Sequence, residues 1–274
     1  MRQITYYEKA DRLVYLEEKA TPEFWDARWQ AEGTPAPVSG KPEVVTVTEK
    51  YLPKGARVLE GGCGRADKVK SLTDAGYAAV GLDFAAETVK QARITYPDIE
   101  VCEGDVRALD FPDDHFDGYW SFGVIEHFWS GYDDILAEAA RVLKKGGYLF
   151  LTAPWFSPYR RKKAGRDEYP RIDPASEPDA FYQFALTRQE VCESLAAQGF
   201  DLVSWQGRSS AVSLKDDVTE FRRQIDWLFA SRGSIVKRAL RRAVFSALDS
   251  YCGHSFLAVA RRSDRPDQGS QPNP

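Results

Sequence analysis

Between residues 57 and 152, short apolar runs alternate with longer segments whose apolar positions recur at helical spacing. Val58 and Leu59 form the first run, which ends in Glu60 and a glycine-rich turn, so 58–60 reads as a strand. Residues 65–75 read as a helix ended near Gly76, 77–83 as a strand, and 86–96 as a helix stopped by Pro97. Two further strands are expected at 99–104 and 116–122. In 132–143, Ile135, Leu136, Ala139, Ala140 and Leu143 share one face, which predicts an amphipathic helix. Lys144 and Lys145 fall in its last turn, with Gly146-Gly147 ending it and a fifth strand at 148–152. Repeated βα units of this length predict a doubly wound, mostly parallel α/β sheet with helices on both faces. Further on, 187–198 reads as a helix with Thr187 as its N-cap, 201–205 as a strand and 255–260 as the last strand.

The remaining segments frame this core, expected at 55–206 plus 253–262. Residues 1–54 are rich in aromatics (Tyr6, Tyr7, Tyr15, Phe24, Trp25, Trp29), which a Pro/Gly-rich stretch at 33–42 follows, and read as an N-terminal helical cover. Residues 153–186 hold five prolines and a basic cluster at Arg160–Lys163; they read as an irregular segment covering a substrate. Residues 207–252 read as a helical insertion, and 263–274 as a disordered tail. Within the insertion, 234–251 places Ile235, Val236, Leu240 and Leu248 on one face, with Lys237, Arg238, Arg241 and Arg242 opposite. Packing on the core, contact with a second copy, or peripheral contact with a membrane surface each give this pattern.

Composition narrows the function. The net charge of −4 argues against a nucleic-acid binder, since phosphate contacts need a surplus of Lys and Arg. No window approaches the ~18 apolar residues of a membrane span, and the N-terminus has no apolar leader. Cys63, Cys102, Cys192 and Cys252 stand far apart, as suits reduced thiols in a cytoplasmic protein. No cluster has metal-ligand spacing, so no metal is expected.

The stretch 57–66, R-V-L-E-G-G-C-G-R-A, carries the most chemistry. Gly61, Gly62 and Gly64 let the backbone turn tightly and approach a ligand closely. Such a strand-to-helix turn commonly cradles a nucleotide. Glu60 would repel a pyrophosphate there and would welcome an ammonium. S-adenosylmethionine has a nucleoside at one end and an amino acid at the other, with no phosphate. The chain resembles the class I S-adenosylmethionine-dependent methyltransferases, close to the type 11 group. The likeness spans roughly 45–205 plus the last strand, implies a Rossmann-like, mostly parallel seven-stranded sheet with an antiparallel last strand, and rests on several motifs in order. E-G-G-C-G at 60–64 matches the family's E/D-x-G-x-G loop. Asp83, 23 positions after Glu60, matches the acid that binds both ribose hydroxyls. Asp105 matches the residue that accepts from the adenine amine, and Phe84 and Val106 are placed to sandwich the adenine. The backbone at Ser121 and Phe122 would face the methionine end. L-K-K-G-G-Y-L-F-L at 143–151 matches the approach to the fifth strand. One departure is Ala66, where the family often has a third glycine.

His127, in I-E-H-F just past the fourth strand, is the candidate catalytic base; the alternative is that Glu126-His127 shapes the loop. The S-F-G-V exit at 121–124 lacks the N/D-P-P-Y/F signature of enzymes that methylate planar nitrogens. A small-molecule, sugar or lipid-linked acceptor, methylated at oxygen, is the expected substrate, handled by a monomer or homodimer in the cytoplasm or on the inner membrane face. A non-catalytic module that binds S-adenosylmethionine or a partner is the alternative. A NAD-dependent oxidoreductase fits worse, because Asp67 stands at the third glycine of G-x-G-x-x-G and Glu60 opposes a pyrophosphate.

Overall fold

A computed structural model of the protein describes residues 3–33, 41–173, 176–217 and 245–263. Its main sheet has seven strands: β3 (Arg57–Gly61), β4 (Ala78–Asp83), β5 (Glu100–Glu103), β6 (Phe116–Phe122), β7 (Leu143–Pro154), β10 (Phe200–Arg208) and β11 (Ser255–Arg262). They lie in the order β10-β11-β7-β6-β3-β4-β5. β3 pairs parallel with β4 and β6, β4 with β5, and β6 with β7. Only β11 runs antiparallel to its neighbours β7 and β10. The doubly wound reading with an antiparallel last strand is therefore the fold observed.

Helices bury one apolar stripe each against the two faces. On one side, α2 (Glu43–Thr48), α3 (Asp67–Asp74) and α4 (Ala86–Thr95) set Val44, Val69 and Val89 around Trp120 and Phe150. On the other, α5 (Asp133–Val142) and α7 (Arg188–Ala197) set Ile135, Leu136, Val191 and Leu195 around Tyr119 and Leu149. Thr187 caps α7 as expected, its side chain accepting the Glu190 N–H. The α5 end differs from the expectation: the helix stops at Val142, and Leu143 already begins β7, so Lys144 and Lys145 lie on a strand. The carbonyl of Val142 takes the His115 N–H, and Leu143 pairs with Phe116 of β6. Pairing with the neighbouring strand thus outweighs helical continuation.

The cover differs more. Residues 1–54 are not a helical cover alone. β1 (Gln3–Tyr7) and β2 (Arg12–Leu16) form an antiparallel hairpin, followed by α1 (Pro22–Glu32), which Thr21 caps. The segment 153–186 is also more regular than expected. It holds α6 (Pro158–Ala164), β8 (Arg171–Ile172) and β9 (Phe181–Ala185). These strands join the hairpin in a second sheet ordered β8-β1-β2-β9. β9 is buried along its whole length, and a parallel bridge between Trp155 and Leu186 ties the small sheet to the end of β7. In the insertion, α8 (Ser210–Asp217) and α9 (245–252) are helical. Most of the amphipathic stretch 234–251, and all of the tail after Ser263, lie outside the described residues. Among the described residues no helix is long and apolar enough to cross a membrane.

Candidate active site

The strand ends β3, β4, β5 and β6 converge on one rim, where open parallel sheets take their ligands. Gly62 (φ +74°) and Gly64 (φ +51°) hold the turn after β3 in left-handed backbone. A Cβ on Gly61 would overlap the Tyr119 hydroxyl, and one on Gly62 would come within 2.5 Å of Val124 Cγ2. Only glycine fits these positions. Ala66, buried ahead of α3, is also left-handed at φ +61° although it carries a Cβ. Cys63 packs its sulfur toward Gly81 of β4, and burial pushes its thiol pKa well up, so it is a spacer rather than a nucleophile.

Glu60 is 1% exposed. Neither of its oxygens accepts a hydrogen bond among the described residues, and the Lys68 ammonium stands 3.4 Å from Oε1. Burial pushes the carboxyl up to about 7; Lys68 pulls against this and Asp83 adds to it. A buried acid with one ammonium at 3.4 Å from Oε1 and no donor on Oε2 is costly unless a ligand supplies further donors. The ammonium of S-adenosylmethionine is a donor of that kind, so the residues present fit this cofactor. Asp83 does more than await a ribose. Its Oδ2 accepts the Gly64 N–H at 2.7 Å and its Oδ1 the Ala85 N–H at 3.0 Å, fastening the glycine turn to β4. Burial raises its pKa and those two amides hold it partway down.

Asp105 and Val106 follow β5. Asp105 is gripped by the guanidinium of Arg107, at 2.6 Å from Nη2 to Oδ2, and this pairing lowers its pKa. Val106 is buried, whereas Phe84 is 38% exposed. Ser121 is buried with its Oγ unpartnered among the described residues. Phe122 stacks on Trp120 with ring centres 4.4 Å apart and carries the Lys68 ammonium over its face at 4.7 Å. Lys68 therefore links the β6 exit to Glu60.

His127 sits in a 3-10 turn, Ile125–His127, after β6. Its Nδ1 lies 2.7 Å from the carbonyl oxygen of Tyr182 in β9. A carbonyl only accepts, so Nδ1 carries the proton; burial pulls the pKa down to about 4, and Nε2 is then unprotonated at neutral pH. Trp25 and Tyr182 meet the ring edge-on at 5.2 and 5.0 Å. Glu126 beside it is buried, and its carboxyl is pushed up to about 8 by that burial.

Gly62, Asp83, Phe84, Asp105, Val106, Phe122 and His127 line one cleft. Glu60, Gly61, Gly64 and Ser121 are not among the residues that line it. The cavity is narrow, about 110 Å³, because α1 leans into it. Trp25 and Trp29 stack at 5.8 Å, and Trp29 lies over Gly64, where a Cβ would meet its ring at 3.0 Å. Asp26 latches α1 to the start of α4 by accepting from the Thr88 N–H at 2.8 Å and the Thr88 hydroxyl at 2.6 Å. Sequence reading missed Trp29, Lys68, Arg107, Asp26 and the Tyr182 carbonyl as site elements. A trace was present for one of them: Trp29 stands four residues after Trp25, hence on the same helix face.

A family model described as a methyltransferase domain matches residues 59–151. A probable S-adenosylmethionine-dependent methyltransferase of Mycolicibacterium smegmatis is 30% identical over 209 residues, 75% of this chain and 71% of that one. A demethylmenaquinone methyltransferase of Renibacterium salmoninarum is 36% identical over 110 residues, covering 39% of this chain and 46% of its own length. A fatty-acid O-methyltransferase of Mycolicibacterium smegmatis is 34% identical over 103 residues, 36% and 37% of the two chains. The chain thus spans under half the length of these last two relatives. Among solved structures, a SAM-dependent methyltransferase from Methanosarcina mazei superposes with a TM-score of 0.54 at 17% identity, covering 79% of this chain and 97% of that one.

Proposed function

The chain belongs to the S-adenosylmethionine-dependent methyltransferases, and from that premise we propose that it methylates an oxygen of a small-molecule, sugar or lipid-linked acceptor. When bound, S-adenosylmethionine supplies an activated methyl group on a sulfonium. The observation that carries the cofactor assignment is Glu60, buried beside the glycine turn with only the Lys68 ammonium near it among the described residues, 3.4 Å from Oε1. Glu60 would take the ammonium, with Ser121 and Phe122 beside the methionine end. Asp83 keeps lone pairs for the ribose hydroxyls, and Asp105 for the adenine amine, while Phe84 and Val106 flank the ring. His127 would orient the acceptor hydroxyl through Nε2 and take its proton there as the oxygen becomes bonded to carbon. The Tyr182 anchor, which fixes the proton on Nδ1 and leaves Nε2 as the acceptor, supports that role. The fatty-acid O-methyltransferase relative supports an oxygen acceptor carried on an apolar body.

Calorimetric titration with S-adenosylhomocysteine should show micromolar binding, weakened tenfold or more by Glu60→Ala. Absence of binding to the unaltered protein would end the assignment. His127→Ala should keep that binding while transfer falls by ~100-fold or more, the usual weight of a general base. Full transfer in this variant would remove His127 as the base.

A further inference from the structure

A second, larger cleft of about 1200 Å³ shares Phe122 with the first as a lining residue. Thr152, paired with Phe122 across β6 and β7, also lines the larger one. Trp155, Phe156 and Trp205 give the cleft aromatic walls, and Arg161, Arg188 and Arg208 bring positive charge. Two of these arginines already have counter-ions: Arg161 pairs with Asp11 at 2.8 Å and Arg208 with Glu43. The other acid on the lining, Asp249, accepts the Ser210 N–H at 2.8 Å. Arg188 is different. It is exposed, lies over the Trp205 ring at 5.8 Å, and pairs with no carboxylate among the described residues.

Two further features add to the surplus of donors. The Trp205 Nε1–H is buried without an acceptor among the described residues. Arg188 is also the first residue of α7, where the Thr187 cap takes only the Glu190 N–H, so the helix start adds its partial positive charge. Trp205 itself is held flat against Phe256 with centres 4.2 Å apart, so the wall is preformed.

We infer that this cleft receives the acceptor, and that the acceptor bears a carboxylate, phosphate or sulfate on a flat apolar or aromatic body. The anion sits on Arg188, the body lies along Trp155 and Trp205, and the reactive end reaches toward Phe122. A guanidinium over an aromatic plane suits an anion whose neighbouring atoms are apolar. The inference rests on the methyltransferase site proposed above, because it takes Phe122 as the passage between acceptor and cofactor.

The aromatic sulfonate 8-anilinonaphthalene-1-sulfonate is a direct probe, with neutral N-phenyl-1-naphthylamine as its control. Titrated by fluorescence into the full chain with saturating S-adenosylhomocysteine, the sulfonate should bind at one site. Arg188→Ala should weaken it at least fivefold and Arg188→Lys less, while the neutral analogue should bind weakly and ignore both changes. Circular dichroism and an unchanged S-adenosylhomocysteine affinity would show the variants to be folded. Three results overturn the inference: displacement of the probe by S-adenosylhomocysteine, an unchanged titration in Arg188→Ala, or equal binding of the neutral analogue. If S-adenosylhomocysteine fails to bind the unaltered protein while the sulfonate still depends on Arg188, the cofactor reading falls instead and the anion site stands.

Discussion

The buried Glu60 should make cofactor binding depend on pH in the neutral range, where few other groups at the site titrate. Only its carboxylate form pairs with an ammonium. With a pKa of about 7, it is ionised in roughly one molecule in eleven at pH 6.0 and in roughly three of four at pH 7.5. The affinity for S-adenosylhomocysteine should therefore rise about eightfold across that interval, about 1.2 kcal/mol, with release of roughly 0.9 proton per binding event at pH 6.0 and roughly 0.2 at pH 7.5. Calorimetry in two buffers of unlike ionisation enthalpy reads both quantities. The same group sets a stability trend of known sign. Its folded pKa lies above its usual value of 4.5, so its contribution is full below pH 4.5 and is lost as pH rises through about 7. Glu60→Gln should thus melt higher than the unaltered protein at pH 8, match it near pH 4, and bind cofactor poorly at both. A dissociation constant flat from pH 6.0 to 7.5 with no proton release would refute the reasoning.

Two further outcomes follow from the glycine turn and its cover. Ala66→Gly should relieve left-handed strain of roughly 1–2 kcal/mol, offset by roughly 0.4–1 kcal/mol of unfolded-chain entropy. Urea denaturation should show a net gain of roughly 0–1.6 kcal/mol, and a loss would mean that the methyl group packs better than its backbone suffers. Trp29→Ala, or Asp26→Ala at the α1 latch, should speed S-adenosylhomocysteine association in stopped-flow fluorescence; unchanged rates would show that α1 does not gate the cleft.

The parallel core was legible because each of its units announces itself locally: an apolar run, a glycine or acid at the strand end, then helical spacing. The turn after Glu60 needs positive φ, and glycine is how a sequence writes that requirement. The N-terminal hairpin is legible in principle in the same way. Ile4 with Tyr6, and Leu13 with Tyr15, alternate as strands do, across the turn E-K-A-D, but the aromatic content of the segment fits a packed helix equally well. The short strand β9 was obscured by the prolines before it. Other features lie beyond any local pattern. The contact of Trp29 with Gly64 joins residues 35 apart in sequence, and the Tyr182 carbonyl reaches His127 only because the two sheets meet. Asp105 reads as a ligand residue from its place after the third strand, and the grip of Arg107, two residues on, emerges only in three dimensions.

The position of β11 has a consequence for how the chain reaches this fold. Residues 255–262 are among the last in the sequence, yet they form an interior strand, bonded to β7 on one side and β10 on the other. Until they arrive, both neighbours present open hydrogen-bonding edges, the kind of surface that recruits other chains. Assembly must wait for contacts that bridge about 100 residues, from β11 back to β7, which favours slow folding and a vulnerable interval during synthesis. A chain ending before residue 255 would hold every residue assigned to the cofactor and still be prone to aggregate.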